Sequence, residues 1–185
     1  MKLDPNRTWK VVEARLASES DARRRRNLEL VLMHMKAEAR ADIEGVVATL
    51  CEKPRYLTHA RPDEEYLNPH GSKDAVRSFY DLTIVQTGAH RLEFEVDRVI
   101  VDDDAVFTEG VMRMAYPGTT LQMMEIEVDD PKGYYVAEAR MGVVWPVNQE
   151  EDRLVGEEVY SCTDAFEGIA ARKISLADVV PLEAD

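Results

Sequence analysis

The sequence predicts an α+β fold, a curved, mostly antiparallel sheet forming a cone-shaped half-barrel packed against N-terminal helices. Three observations predict it. Apolar residues recur every three or four positions in stretches as far as Ile84. From His90 onward the period shortens to two. The alternating runs are separated by "DDD", "PGTT", "DDPKG" and "NQEED", polar connections that suit antiparallel hairpins. Helices followed by strands form a layered arrangement, and a strongly curved sheet under helices leaves a concave cavity where chemistry is expected.

The elements follow in order. Asp4 and Pro5 start a first helix carrying Trp9, Val12 and Leu16 as far as Ser18. After the capping-type string "SESDA", Leu28, Leu32, Met35, Ala39, Asp42, Val46 and Thr49 or Leu50 fall on one helical stripe, with a bend or a break expected near residue 37. Pro54 ends that region, and "RYLTHA" reads as a short extended piece before the turn "RPDEE". Gly71 and a Ser72 N-cap lead into a helix bearing Ala75, Val76, Phe79, Tyr80 and Leu82. Four strand-like runs come next, "RLEFEVDRVIV", "AVFTEGVMRMAY", "GYYVAEARMGVVWPV" and "RLVGEEVYSC", with "LQMMEIEV" as a fifth strand or a loop insertion. A chain of 185 residues holds one sizeable core. Residues 1–24 are expected as an accessory helix, 25–162 as the cone and 163–185 as a wrapping tail.

A net charge of -13 argues against a role in tracking phosphates. The basic run "ARRRR" is then either an anion-binding patch or a helix edge docked on acidic neighbours. No apolar run approaches the length of a membrane span, and the N-terminal string lacks the apolar region of a signal peptide, so a cytoplasmic protein is expected. Cys51 and Cys162 have no metal-type spacing and read as reduced, small core residues.

Asp42 is the leading catalytic candidate, because a carboxylate on a buried stripe must be paired or protonated, and burial lifts its pKa into a range useful for acid/base work. Glu38 and His34 extend the row at spacings of four. Each such step turns about 40° on a helix with 3.6 residues per turn, which carries Glu38 to a solvated edge and His34 to the margin of the pocket. No further His or Cys cluster completes a metal site, so none is expected. Tyr56, Tyr66 and Tyr80 offer phenols for a substrate oxygen or serve as core-edge residues. His70 lies near the expected pocket mouth. Strand alternation puts Glu109 and Arg113 on one face and Met112 on the other. With Glu138 and Arg140, the pair Glu109 and Arg113 forms either a cross-strand ladder or a reserve carboxylate site inside the cone. Met112 and Met141, with Trp145, are candidates to line a pocket for an apolar ligand or simply to fill the core.

Several strings resemble the SnoaL-like branch of the nuclear transport factor 2-like superfamily. They are "HMKAEARADIEGVVATL", "HGSKDAVRSFYDL", the residues from Ile100 to Asp103, "EGVMRMAYPG" and "RLVGEEVY", spanning roughly residues 25 to 162. The resemblance implies a hydrophobic cone holding one or two carboxylates with Tyr, His or Arg partners, no metal, no organic cofactor, and a homodimer through the sheet. Ala41 stands where the dehydratase type has a tyrosine before its helical Asp, and the strands offer Glu and Arg where the epoxide hydrolase type has an Asp, Arg, Asp set. Two functions are expected from this reading. One is a cofactor-independent isomerase, dehydratase or cyclase acting on a polyketide-, steroid- or terpenoid-like molecule, with Asp42 as acid or base, Tyr56 and Tyr80 on oxygen, and Glu109 with Arg113 in reserve. The other is a non-catalytic binding or dimerisation module with the same cone.

Overall fold

The structure, a computed structural model, describes residues 2–183. Helix α1 (Arg7–Ser18) buries Trp9 and Val12 in the main core. Helix α2 (Ala22–Ala39) opens on Asp21, whose carboxylate accepts the Arg23 and Arg24 amides. The arginine run beyond it docks within the chain. Arg23 and Arg26 pair with Asp152 and Arg24 with Asp102 and Asp103, while Arg25 donates to the Leu16 and Glu19 carbonyls.

The expected helical stripe through Asp42 is interrupted. Ala41 lies in the left-handed region at φ 53°, the Ala41 amide donates to the Glu38 carbonyl, and the Asp42 amide reaches back to the Ala37 carbonyl at 2.9 Å. These paired bonds close α2 as a Schellman cap. Asp42 then becomes the N-cap of a new helix, α3 (Ile43–Ala48), accepting the Gly45 amide at 2.9 Å. The non-helical residues reset the phase, so Asp42 is exposed and its helical position on the buried stripe is lost. Asp42→Ala is expected to cost about 1 kcal/mol through loss of the cap, read by urea denaturation, and to leave ligand binding unchanged.

The short strand β1 (Leu57–Thr58) precedes α4 (Lys73–Tyr80), capped by the Ser72 hydroxyl and continued by a π-helical turn over Asp81–Gln86. The long strands β2 (Leu92–Val101), β3 (Ala105–Pro117) and β4 (Tyr134–Asn148) form an antiparallel meander. Where the sequence reads one strand over "RLVGEEVYSC", there are two, β5 (Arg153–Leu154) and β6 (Glu158–Ser161), divided at Gly156. The "LQMMEIEV" stretch is no strand. It continues a short helix α5 (Gly118–Met123) and returns through Glu125, itself at positive φ. Strand β6 lies between β4, antiparallel, and β1, parallel, giving the order β1-β6-β4-β3-β2; β5 and the tail strand β7 (Lys173–Ile174) also pair with β4.

A bulge between Val96 and Arg98 bends β2 around Gly110, where an added Cβ would meet the Glu95 carbonyl at 2.2 Å. The sheet therefore curls towards α2 and α4. The tail is tied down by Arg172, which donates to the Val136, Ala165 and Glu167 carbonyls. Among the described residues, no helix is long and apolar enough to cross a membrane.

Candidate functional site

Between the sheet and the helices lies a cavity of about 640 Å³. Its walls are largely apolar, with Phe94 from β2, Met112 and Met114 from β3, and Met141, Val143 and Trp145 from β4. The polar groups converge at the end where α2, α4 and the segment before β6 meet. Helix α2 turns Val31, His34 and Met35 inward on one arc, and Glu38, one turn beyond His34, lines the cavity. Helix α4 brings Tyr80, the approach to β1 brings Tyr56, and Gly156 introduces Glu157.

His34 is fully buried. The Thr49 hydroxyl donates to the Val46 carbonyl at 2.6 Å, so it accepts from His34 Nδ1–H at 2.8 Å. That bond fixes the proton on Nδ1 and aims Nε2 at three oxygens: Glu157 Oε1 at 3.1 Å, the Tyr80 hydroxyl at 3.3 Å and the Tyr56 hydroxyl at 3.4 Å. Tyr80 donates to Glu157 Oε1 at 2.9 Å. An imidazole lone pair and a carboxylate lone pair do not face each other at 3.1 Å without a proton between them. His34 Nε2 and Glu157 Oε1 thus stand within hydrogen-bond distance across the buried end of the cavity. Trp145 braces the imidazole edge-on at 5.3 Å, and its indole N–H donates to the Thr108 hydroxyl at 2.9 Å.

Glu38 makes no side-chain hydrogen bond to a described residue and presents its remaining accessible surface to the cavity it lines. Burial, and then the Glu157 charge, push its carboxyl well above the ordinary value of 4.5. Burial likewise raises the Tyr56 and Tyr80 phenols, again helped by the Glu157 charge, so both remain donors. The cavity end therefore holds two carboxyl groups, one of them raised by burial, beside an imidazole and neutral phenols. For a group whose folded pKa is raised, the folded state keeps a proton that the unfolded chain has released, so stability falls as pH rises from about 4.5 through the raised value. Glu38→Gln is expected to remove that slope, at most about 1.4 kcal/mol per pH unit, in denaturation curves taken from pH 5 to pH 8.

The structure separates the residues named from the sequence. Tyr56, Tyr80, His34, Trp145, Met112 and Met141 meet in or against the cavity. Asp42 stands outside as a helix cap. Glu109 and Arg113 lie on the outer face of the sheet, because alternation turns Met112 inward and its neighbours outward. Arg113 pairs there with Glu93, Glu95 and Glu138, and Glu109 with Arg140 and Arg98. His70 is exposed beside a smaller groove of about 310 Å³ shared with Tyr66 and Leu82, away from the cluster. Cys51 is buried, but Cys162 is exposed at the cavity rim. Among the described residues, no group of three or more His, Cys, Asp or Glu is placed to hold a metal ion.

No family model matches the sequence, and no curated protein is significantly similar to it. Solved structures do share the architecture. A protein of Shewanella putrefaciens CN-32, classed as a SnoaL-like polyketide cyclase, superposes with a TM-score of 0.63 at 10% identity, covering 86% of this chain and 90% of its own. A nuclear transport factor 2-like protein of unknown function from Burkholderia pseudomallei K96243 matches with a TM-score of 0.54 at 20% identity, over 78% of this chain and 95% of its own. The chain shares the fold of these SnoaL-like and nuclear transport factor 2-like proteins. TerC, co-crystallised with polyporic acid, shares it with a TM-score of 0.56 at 15% identity, over 79% of this chain and 98% of its own.

Within this cone, sequence reasoning missed Glu157, placed Glu38 at a solvated edge although it lines the cavity, and gave Thr49 no role beyond the helical stripe. Two successive glutamates in "VGEEVY" carry the signal for Glu157, since in a strand of period two they cannot both face solvent. For Glu38 the spacing from His34 is informative only once the helix is known to stop at Arg40.

Proposed function

We propose that the chain is a cofactor-independent acid/base catalyst of the isomerase, dehydratase or cyclase type, acting on an apolar molecule that carries a carbonyl or hydroxyl group. The observation that carries this reading is the Tyr80, Glu157, His34 contact set at the polar end of an apolar cavity, with Glu38, whose carboxyl is raised by burial, lining the same space. Glu157 takes a proton from carbon beside the substrate carbonyl, breaking the C–H bond and becoming a carboxylic acid. The Tyr80 hydroxyl and the Glu38 acid hydrogen-bond to the enolate oxygen that develops. Return of the proton to another carbon gives isomerisation. Departure of a hydroxyl with the Glu38 proton gives water and a dehydrated product. TerC's co-crystallisation with a small organic acid supports a cone of this form as a small-molecule site.

The test is solvent-deuterium incorporation, followed by proton NMR, into a panel of polycyclic ketones and cyclic enones. Exchange beside the carbonyl of at least one member is expected well above the buffer rate. A panel that binds but exchanges only at the buffer rate favours a binding module over an enzyme.

A further inference from the structure

A second polar group lines the cavity far from the Glu157 cluster. Tyr116 pairs with Tyr135 in the ladder, whereas Trp145, which touches His34, pairs with Val106. The ten steps from Val106 to Tyr116 measure roughly 33 Å along the strand at about 3.3 Å each, less in a straight line because the sheet curls. On the sheet side Met112, Met114, Ala139 and Met141 line the stretch between with apolar surface, and Ser161, Thr163 and Asp164 border it from the segment beside β4.

The Tyr116 ring is held in place. It packs edge-on against Phe166 at 5.3 Å, in the tail segment that Arg172 clamps through the Ala165 carbonyl at 2.9 Å. Its hydroxyl, however, makes no side-chain hydrogen bond to a described residue. Among those residues Asn27 Oδ1 is the only fully enclosed side-chain polar atom without a partner, so the Tyr116 hydroxyl keeps an open side in the cavity it lines. Burial pushes this phenol up to about 12, which leaves it a donor throughout the neutral range. A phenol that faces the cavity without a protein partner is available to donate to an acceptor that a ligand supplies.

We infer that Tyr116 is a ligand-positioning residue, and that the cavity takes an elongated apolar molecule with two oxygen functions, one at Glu157 and Tyr80 and the other accepting a hydrogen bond from the Tyr116 hydroxyl. The inference rests on the proposed function in requiring an apolar ligand in the cone, and it adds that the ligand is long and polar at both ends. It also assigns Tyr116 to selection between ligands and not to the chemical step.

Two probes test it by isothermal titration: a p-terphenyl phenol, and the same molecule carrying an acetyl group at its other end. Wild-type protein is expected to bind the acetylated probe about tenfold more tightly, the value of one good hydrogen bond. In Tyr116→Phe, which keeps the ring on Phe166, the ratio is expected to collapse to about one, with the plain phenol's affinity held within about twofold. Equal affinity of wild type for the two probes, or a preference that survives in Tyr116→Phe, overturns this inference alone. Failure of both probes to bind overturns it together with the apolar-ligand reading beneath it.

Discussion

Glu157→Gln is expected to lower deuterium exchange into a responsive ketone by about 10²- to 10⁴-fold, the usual worth of a positioned general base. The substitution is close to isosteric. With its amide nitrogen in the place of Oε1, the glutamine donates both to His34 Nε2 and to the Tyr80 oxygen, the two groups that contact that one atom, so the buried network stays satisfied and the fold is retained. What is lost is the capacity to take up a proton. A circular dichroism melt near the wild-type value, together with the rate loss, separates chemistry from folding. Because Glu157 contributes to the high pKa of Glu38, the same variant is also expected to bring the Glu38 carboxyl back towards its ordinary range. The pH dependence of stability then flattens.

Gly156→Ala is expected to be the most destabilising small substitution near the site, by roughly 3 kcal/mol in urea denaturation. Gly156 has φ 150°, and an added Cβ would sit 2.2 Å from the Arg55 carbonyl oxygen and 3.0 Å from the Tyr56 ring. The oxygen is backbone and cannot swing away. It belongs to a segment stitched on both sides, by the Arg55 amide to the Val155 carbonyl and by the Leu57 amide to the Glu157 carbonyl, each at 2.8 Å. Relief of the clash would have to part these strands, moving Tyr56 and Glu157 together. The variant is therefore expected to lose activity as well as stability, unlike Glu157→Gln.

Much of this architecture was legible in the sequence. The switch of period at His90 marks the start of the meander, and Ser72 caps α4 as the string "HGSKD" predicts. Alternation correctly separated Met112 from Arg113, although it left open which face was the interior. Tyr56, Tyr80 and His34, all named from the sequence, meet in the buried cluster, whereas Tyr66 is exposed beside the smaller groove. Asp42 was misplaced for a local reason. A stripe drawn with one helical phase crosses Ala41, and nothing in "EARAD" announces a left-handed alanine. That break takes Asp42 off the stripe, and Glu38, one turn earlier and expected at a solvated edge, is the helix carboxylate that lines the cavity. Glu157 was hidden for a tertiary reason, since its burial depends on Gly156 letting two distant segments cross at close range.

The central claim is that the reactive carboxylate of this cone is Glu157, opposite Glu38, and that Asp42 is only a helix cap. Exchange rates of one responsive ketone, measured side by side for wild type, Glu157→Gln and Asp42→Asn, test it most directly. The account predicts loss of exchange in Glu157→Gln and a wild-type rate in Asp42→Asn. A wild-type rate in Glu157→Gln, with exchange abolished in Asp42→Asn, would contradict it.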